Sequence, residues 1–147
     1  MPPTFNYVML VDDDENANMI SEIRLKRSSF CEQIITVTNG QEAIDYFESQ
    51  INLPKDQQKI PTIIFLDLNM PVMDGWNFMK EFGEKYNKYF PNCTIIVLSS
   101  TIDPVETERA SFEPLVMGFI QKPLMGAHLL KLKNSRMLRD EFQIKID

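Results

Sequence analysis

Five short, mostly apolar runs constrain this chain more than any other feature. They are Tyr7–Val11 (YVMLV), Ile34–Thr38 (IITVT), Ile63–Leu66 (IIFL), Thr94–Leu98 (TIIVL) and Met117–Gln121 (MGFIQ). Such runs, rich in β-branched residues and apolar on both faces, are expected of buried strands in a parallel sheet. Stretches with helical spacing separate them. Glu15 to about Ser28 has Ile20, Ile23 and Arg27 marking one face. Gln41–Gln50 turns Ala43, Ile44 and Phe47 inward, and Trp76–Tyr86 does the same with Met79 and Phe82. Val105 to about Phe112 and Leu124 to about Asp140 complete the series. Asp13 or Asp14 can cap the first helix and Asp103 the fourth, which Pro114 must stop. Asn39-Gly40 reads as a turn, and the polar stretch Asn52–Lys59 as a surface loop. Crossovers this short force parallel strands and right-handed connections. The expected fold is α/β, a five-stranded doubly wound parallel sheet with helices on both faces.

At 147 residues the chain fits one domain, expected over 7–140 between short tails at 1–6 and 141–147. Its net charge of −6 lacks the basic footprint of sequence-independent nucleic-acid binding. No run of about 18 apolar residues offers a membrane span. The opening MPPTFNYVML lacks the charged and apolar regions of a secretory signal. Cys31 and Cys93 have no metal-ligand spacing and read as free thiols, which suits a reducing, cytoplasmic setting.

Chemistry collects where the strands end. The first run leads into Asp12, Asp13 and Asp14, the third into Asp67, the fourth into Ser99 and Ser100, and the fifth into Lys122 and Pro123. In a parallel sheet these positions share the C-terminal edge, where open α/β sheets bind ligands. An acid or serine after a strand is often only a helix cap, but four such features on ordered strands outweigh that reading. Asp12, Asp13 and Asp67 crowded together are expected to raise one another's pKa. A hard divalent cation relieves that repulsion. Magnesium keeps several waters, so about two carboxylates and a carbonyl suffice. With Asp67 as nucleophile, magnesium on Asp13, Lys122 as fixed cation and Ser99 as hydrogen-bond donor, the set holds the parts that phosphoryl transfer needs.

The stretches VDDDE (Val11–Glu15), DLNMPVMDG (Asp67–Gly75), VLSS (Val97–Ser100) and GFIQKP (Gly118–Pro123) resemble the receiver domain of bacterial two-component response regulators over nearly the whole length. The resemblance implies a flavodoxin-like (βα)5 fold with strand order 2-1-3-4-5. It makes Asp67 the phosphoacceptor and Asp12 and Asp13 an acid pair. Asp13 would ligate magnesium directly and Asp12 mainly through water, with Asp67 and the Asn69 carbonyl as further ligands; manganese is the alternative ion. Lys122 would contact the phosphoryl group, before a cis bond to Pro123. Ser99 takes the place of the switch hydroxyl. Phe119 takes the place of the switch aromatic, often tyrosine, which is expected to move inward on phosphorylation.

The implied partners are a histidine kinase or histidine phosphotransfer protein and an unidentified downstream protein, with no direct contact to nucleic acid or membrane. The face of the fourth helix, fifth strand and last helix would switch, and a homodimer through it is an open expectation. The chain would be a stand-alone signalling protein without an output domain, not an enzyme. Two other readings are a pseudo-receiver that is never phosphorylated and a phosphohydrolase of the haloacid-dehalogenase type. The latter usually carries a second acid two residues on, where this chain has Asn69, and its nucleophile follows the first strand. His128 reads as a helix-surface residue and Trp76 as packing beside the Asp67 loop.

Overall fold

Each apolar run becomes a strand and each amphipathic stretch a helix in the computed structural model, which describes residues 2–100, 103–134 and 144–145. In chain order the elements are β1 (Phe5–Val11), α1 (Glu15–Arg27), β2 (Cys31–Val37), α2 (Gly40–Ile51), β3 (Ile63–Leu66), α3 (Gly75–Lys85), β4 (Thr94–Ser99), α4 (Pro104–Ser111), β5 (Val116–Gln121), α5 (Gly126–Asn134) and β6 (Ile144–Lys145). A single 3-10 turn, Lys55–Gln57, lies in the polar loop before β3. The first five strands run parallel in the order β2-β1-β3-β4-β5, the flavodoxin-like arrangement. The segment expected as a tail adds something. Ile144 and Lys145 pair in parallel with Gly118 and Phe119, giving β5 a two-residue neighbour at the sheet edge. Residues 135–143, which include the last part of the helix expected to reach Asp140, lie outside the described residues.

Strand order reverses beside β1, and that reversal positions the site. Val11 pairs with Leu66, so the next residues of the two strands, Asp12 and Asp67, emerge side by side. The Asp67 amide donates to the Val11 carbonyl at 2.9 Å, which carries the pairing to the strand end. All four residues of β3 are buried. Helix α2 closes one face of the sheet through Phe47, which is fully buried. Its ring lies 4.9 Å from Phe82 and 5.8 Å from Phe90, centroid to centroid. Burying a side chain of this size contributes about 1.5–3 kcal/mol.

Helix α1 turns its marked face away from the core. Ile20 and Ile23 are each 42% exposed. The face they mark with Arg27 points outward, and the buried positions are Asn18, Ser21 and Leu25. The physical reason is local. Asn18 Nδ2 donates to the Asp12 carbonyl at 2.8 Å, so a polar side chain is satisfied where hydrophobic spacing would place an apolar one. The helix ends at Arg27 with Ser28 as its cap, and the next residue, Ser29, has a φ of 48° in the left-handed region. There the Phe30 amide donates to the Leu25 carbonyl and the Ser29 amide to that of Lys26, which satisfies two carbonyls of the last turn.

One local assignment changes in kind, and one residue gains a role. Asn39-Gly40 is the N-cap and first residue of α2 and not a turn; Asn39 accepts from the Glu42 amide, and Glu42 reaches back to the Thr38 amide. His128 is a capping residue. Its Nδ1 accepts the Met125 amide at 2.9 Å at the start of α5. Both thiols are free, and burial pushes Cys31 up to about 11 and Cys93 up to about 12.

The His128 cap has a pH signature. Only neutral imidazole can accept at Nδ1. Burial first, and then the Lys131 charge, hold its pKa below the ordinary 6.5. A lowered histidine pKa means that the unfolded chain binds more protons, so this contribution is complete above the unfolded value and lost as pH falls through the folded one. His128→Ala is expected to cost about 0.5–1.5 kcal/mol at pH 7.5, the worth of one hydrogen bond. Urea unfolding should show the wild-type advantage shrinking as pH falls below about 6.5.

Candidate functional site

The site is a knot of charge at the C-terminal edge of β1, β3 and β5. Asp67 is 7% exposed and Asp12 is 4% exposed. Lys122 Nζ lies 2.5 Å from Asp12 Oδ2 and 3.6 Å from Asp67 Oδ2. The remaining oxygens are held by backbone: Asp67 Oδ1 accepts from the Asn69 amide at 3.2 Å, and Asp12 Oδ1 from the Asp14 amide at 2.9 Å. Asp14 itself turns away to cap α1, accepting from the amides of Asn16 and Ala17. Asp13 is exposed, yet one carboxylate oxygen from each of Asp12, Asp13 and Asp67 falls within 4.8 Å of the others.

Asp67 is pushed up to about 6. Burial is the main cause; the Lys122 charge and the Asn69 amide pull it down, and the Asp12 carboxylate adds a smaller upward push. The upward shift was expected, but from repulsion among acids. Desolvation outweighs that repulsion because Lys122 lies close enough to Asp12 to absorb much of it. Burial alone would lower Lys122, but its hydrogen bond to Asp12 and the charges of Asp67, Asp12 and Asp14 hold it above the ordinary lysine value.

The donor set fits magnesium. Three carboxylates face one ammonium, which leaves two negative charges when all are ionised. All donors are hard oxygens, and exposed Asp13 leaves a side open to the waters that magnesium retains.

Close backbone approach fixes the loop between Asp67 and α3. A Cβ on Gly75 would sit 2.6 Å from the Asp67 carbonyl oxygen and 2.8 Å from Leu68 Cα. A Cβ on Gly40 would meet the Met73 carbonyl at 2.6 Å, the same oxygen that accepts the Gly40 amide. Between these two contacts the loop turns at Val72, whose φ is 75° and whose flanking residues close a Met73 amide to Pro71 carbonyl bond of 3.1 Å. Trp76, next to Gly75, does more than pack. The Arg109 guanidinium of α4 stacks over its ring at 3.9 Å, joining the start of α3 to α4.

Of the other expected residues, Ser99 is 1% exposed and ends β4, and its carbonyl accepts the Lys122 amide at 2.7 Å. The Lys122–Pro123 bond is cis, as expected. Phe119 is already buried at 5% exposure, so the expected inward swing has no outward starting point here. Its ring belongs to the core cluster, and its backbone pairs with β4 on one side and β6 on the other. His128 lies on α5 in its capping role. Sequence reasoning missed Asn18, which holds the Asp12 carbonyl, and Arg24, which reaches the Leu124 carbonyl; neither stands in a motif that would reveal it.

Comparison with known proteins agrees with this geometry. The profile of the response regulator receiver domain matches residues 8–133. The chain is 31% identical over 127 residues to a sensor histidine kinase, CheAY, of Helicobacter pylori, covering 86% of this chain and 14% of that one. It is 32% identical over 116 residues to a protein-glutamate methylesterase/protein-glutamine glutaminase of Sulfurimonas denitrificans, covering 79% and 29%. The chain thus spans less than a third of the length of these curated relatives. A two-component response regulator from Cytophaga hutchinsonii superposes with a TM-score of 0.79 at 28% identity, covering 88% of this chain and 95% of that one.

The glycine contact gives a direct test. Gly75→Ala forces the Asp67 carbonyl or α3 to shift, at a cost of about 1–3 kcal/mol. Gly126→Ala, where nothing lies within 4 Å of the added atom, should leave stability unchanged or slightly raised. Parallel urea unfolding of the two variants separates close approach from a general glycine effect.

Proposed function

This chain belongs to the response regulator receiver family, and on that premise we propose that Asp67 accepts a phosphoryl group from the phosphohistidine of a histidine kinase or histidine phosphotransfer protein. The observation that carries this reading is a buried carboxylate at the end of the central strand, within ion-pair reach of Lys122 and beside the Asp12 and Asp13 oxygens. A carboxylate oxygen of Asp67 attacks the phosphorus, the phosphorus–nitrogen bond breaks, and the imidazole leaves with the electron pair. Lys122 then pairs with the phosphoryl oxygens, and Ser99 donates a hydrogen bond to one of them. Asp12, Asp13, Asp67 and the Asn69 carbonyl would hold magnesium, or manganese, which when bound neutralises charge on the phosphoryl oxygens.

The signalling unit in this reading is residues 7–140, acting in the cytoplasm. No described helix is long and apolar enough to cross a membrane. The phosphoryl group replaces one carboxylate charge by roughly −1.5 to −2. Its effect reaches the α4–β5–α5 face, where a downstream protein or a second copy would bind. Since Phe119 starts out buried, the change at β5 is a repacking and not a swing from the surface.

Two measurements test this. With magnesium and acetyl phosphate, wild type should gain one acid-stable, base-labile phosphoryl group by intact-mass spectrometry, and Asp67→Asn should gain none at that position. A wild type that stays unlabelled would point instead to a pseudo-receiver that works only by binding. The second concerns transmission. Ser99→Ala should still accept phosphate, but beryllofluoride should change hydrogen exchange across 105–121 far less than in wild type. Equal changes in both proteins would remove Ser99 from the relay.

A further inference from the structure

We propose that Arg24, in the last turn of α1, is a positioning residue for Lys122; this rests on the receiver reading above. Lys122 stands at the head of a loop pinned at three points. Its own amide donates to the Ser99 carbonyl at 2.7 Å. The Leu124 carbonyl, two residues on, accepts from Arg24 Nη1 at 3.1 Å, and the same nitrogen lies 2.9 Å from Met125 Sδ. The Met125 amide donates to His128 Nδ1. The other two anchors come from β4, 23 residues back, and from α5, directly after the loop. Arg24 ties the loop by a hydrogen bond across 100 residues to α1.

That tie joins the two segments whose side chains meet in the site. Helix α1 begins directly after Asp12–Asp14, and Asn18 on the same helix holds the Asp12 carbonyl. Arg24 lies two turns further along and holds the main chain just past Lys122. The separation of Asp12 from Lys122 is therefore set from both ends: by their own 2.5 Å ion pair, and by a charged donor on a backbone carbonyl behind it. When a phosphoryl group draws Lys122 from Asp12 toward Asp67, the first link is lost and the second remains. Leu124 is 1% exposed, so the loop has a packed side chain to pivot on and Arg24 to fix its angle. The Lys133 contact with the Ser28 carbonyl ties α5 to the end of α1 but lies too far along both helices to orient Lys122.

The test separates positioning from general support. At saturating acetyl phosphate and magnesium, Arg24→Met should label Asp67 about 10-fold to 100-fold more slowly than wild type, the usual effect of a displaced catalytic group. Magnesium affinity should stay within about twofold, because Arg24 bonds to Leu124 and Met125 and not to the metal-binding residues that follow β1 and β3. Arg24→Lys, which restores a charged donor, should recover much of the rate. In a Lys122→Ala background, Arg24→Met should change the rate less than about twofold, since its effect passes through the missing ammonium. Without magnesium, the Lys122 amide should exchange faster in Arg24→Met than in wild type. An equal fold-loss in both backgrounds, or full rate in Arg24→Met with unchanged exchange at Lys122, would overturn the assignment. If Arg24→Met unfolds at assay temperature, Arg24→Lys and Arg24→Gln in the same two backgrounds decide it. A wild type that takes no phosphoryl group at Asp67 would instead overturn the receiver reading, and this proposal with it.

Discussion

Two buried carboxylates and one ammonium share the end of a parallel sheet, and much of the architecture serves to keep them there. Charge taken out of water is costly unless it is paired and hydrogen-bonded. Register supplies the first condition: β1 and β3 lie in step, so Asp12 and Asp67 must emerge together. The cation has to come from two strands away, and the Lys122 amide bond to Ser99 keeps β5 aligned with β4 to its last residue. The pairing is unequal. Lys122 sits closer to Asp12, so Asp67 bears more of the uncompensated burial and its pKa rises to about 6. The group proposed to react is thus the one the resting fold neutralises less completely.

The surroundings of Asp67 reach several elements through short, stiff contacts. Its carbonyl lies against the Cα of Gly75, and the next residue, Trp76, lies under a guanidinium from α4. Asp12 connects to α1 through Asn18. Packed interiors transmit strain because they have little room to absorb it. A change in charge at one carboxylate therefore meets α1, α3 and α4 within one or two residues.

The strands and the site residues were legible in the sequence for a common reason. A buried parallel strand must be apolar on both faces, so each run announces itself, and the first polar residue after it marks the sheet edge. Asp12, Asp67, Ser99 and Lys122 were found that way. The orientation of α1 was not legible, because two of its three inward positions are the polar Asn18 and Ser21, and Asn18 is satisfied by a tertiary bond to the Asp12 carbonyl. Arg24 and the capping role of His128 were missed for a related reason: their partners are backbone groups, which leave no pattern in side-chain spacing. The cause of the Asp67 shift depended on how deeply the strand end is buried and on which acid the lysine prefers, and neither follows from residue order. Residues 144–145 were too short a run to carry any periodicity.

The margins of the sheet bear on how the molecule behaves in concentrated solution. Unpaired strand edges are templates on which sheets of separate molecules join. At one margin β2 exposes Glu32 and Gln33, a charge and an amide that disfavour such joining. At the other, β6 occupies part of the outer edge of β5 and is itself only two residues long, too short to template much. With a net charge of −6 adding mutual repulsion, both routes to edge-to-edge aggregation are blunted. A sheet this apolar can then stay dispersed at high concentration without a partner to shield it.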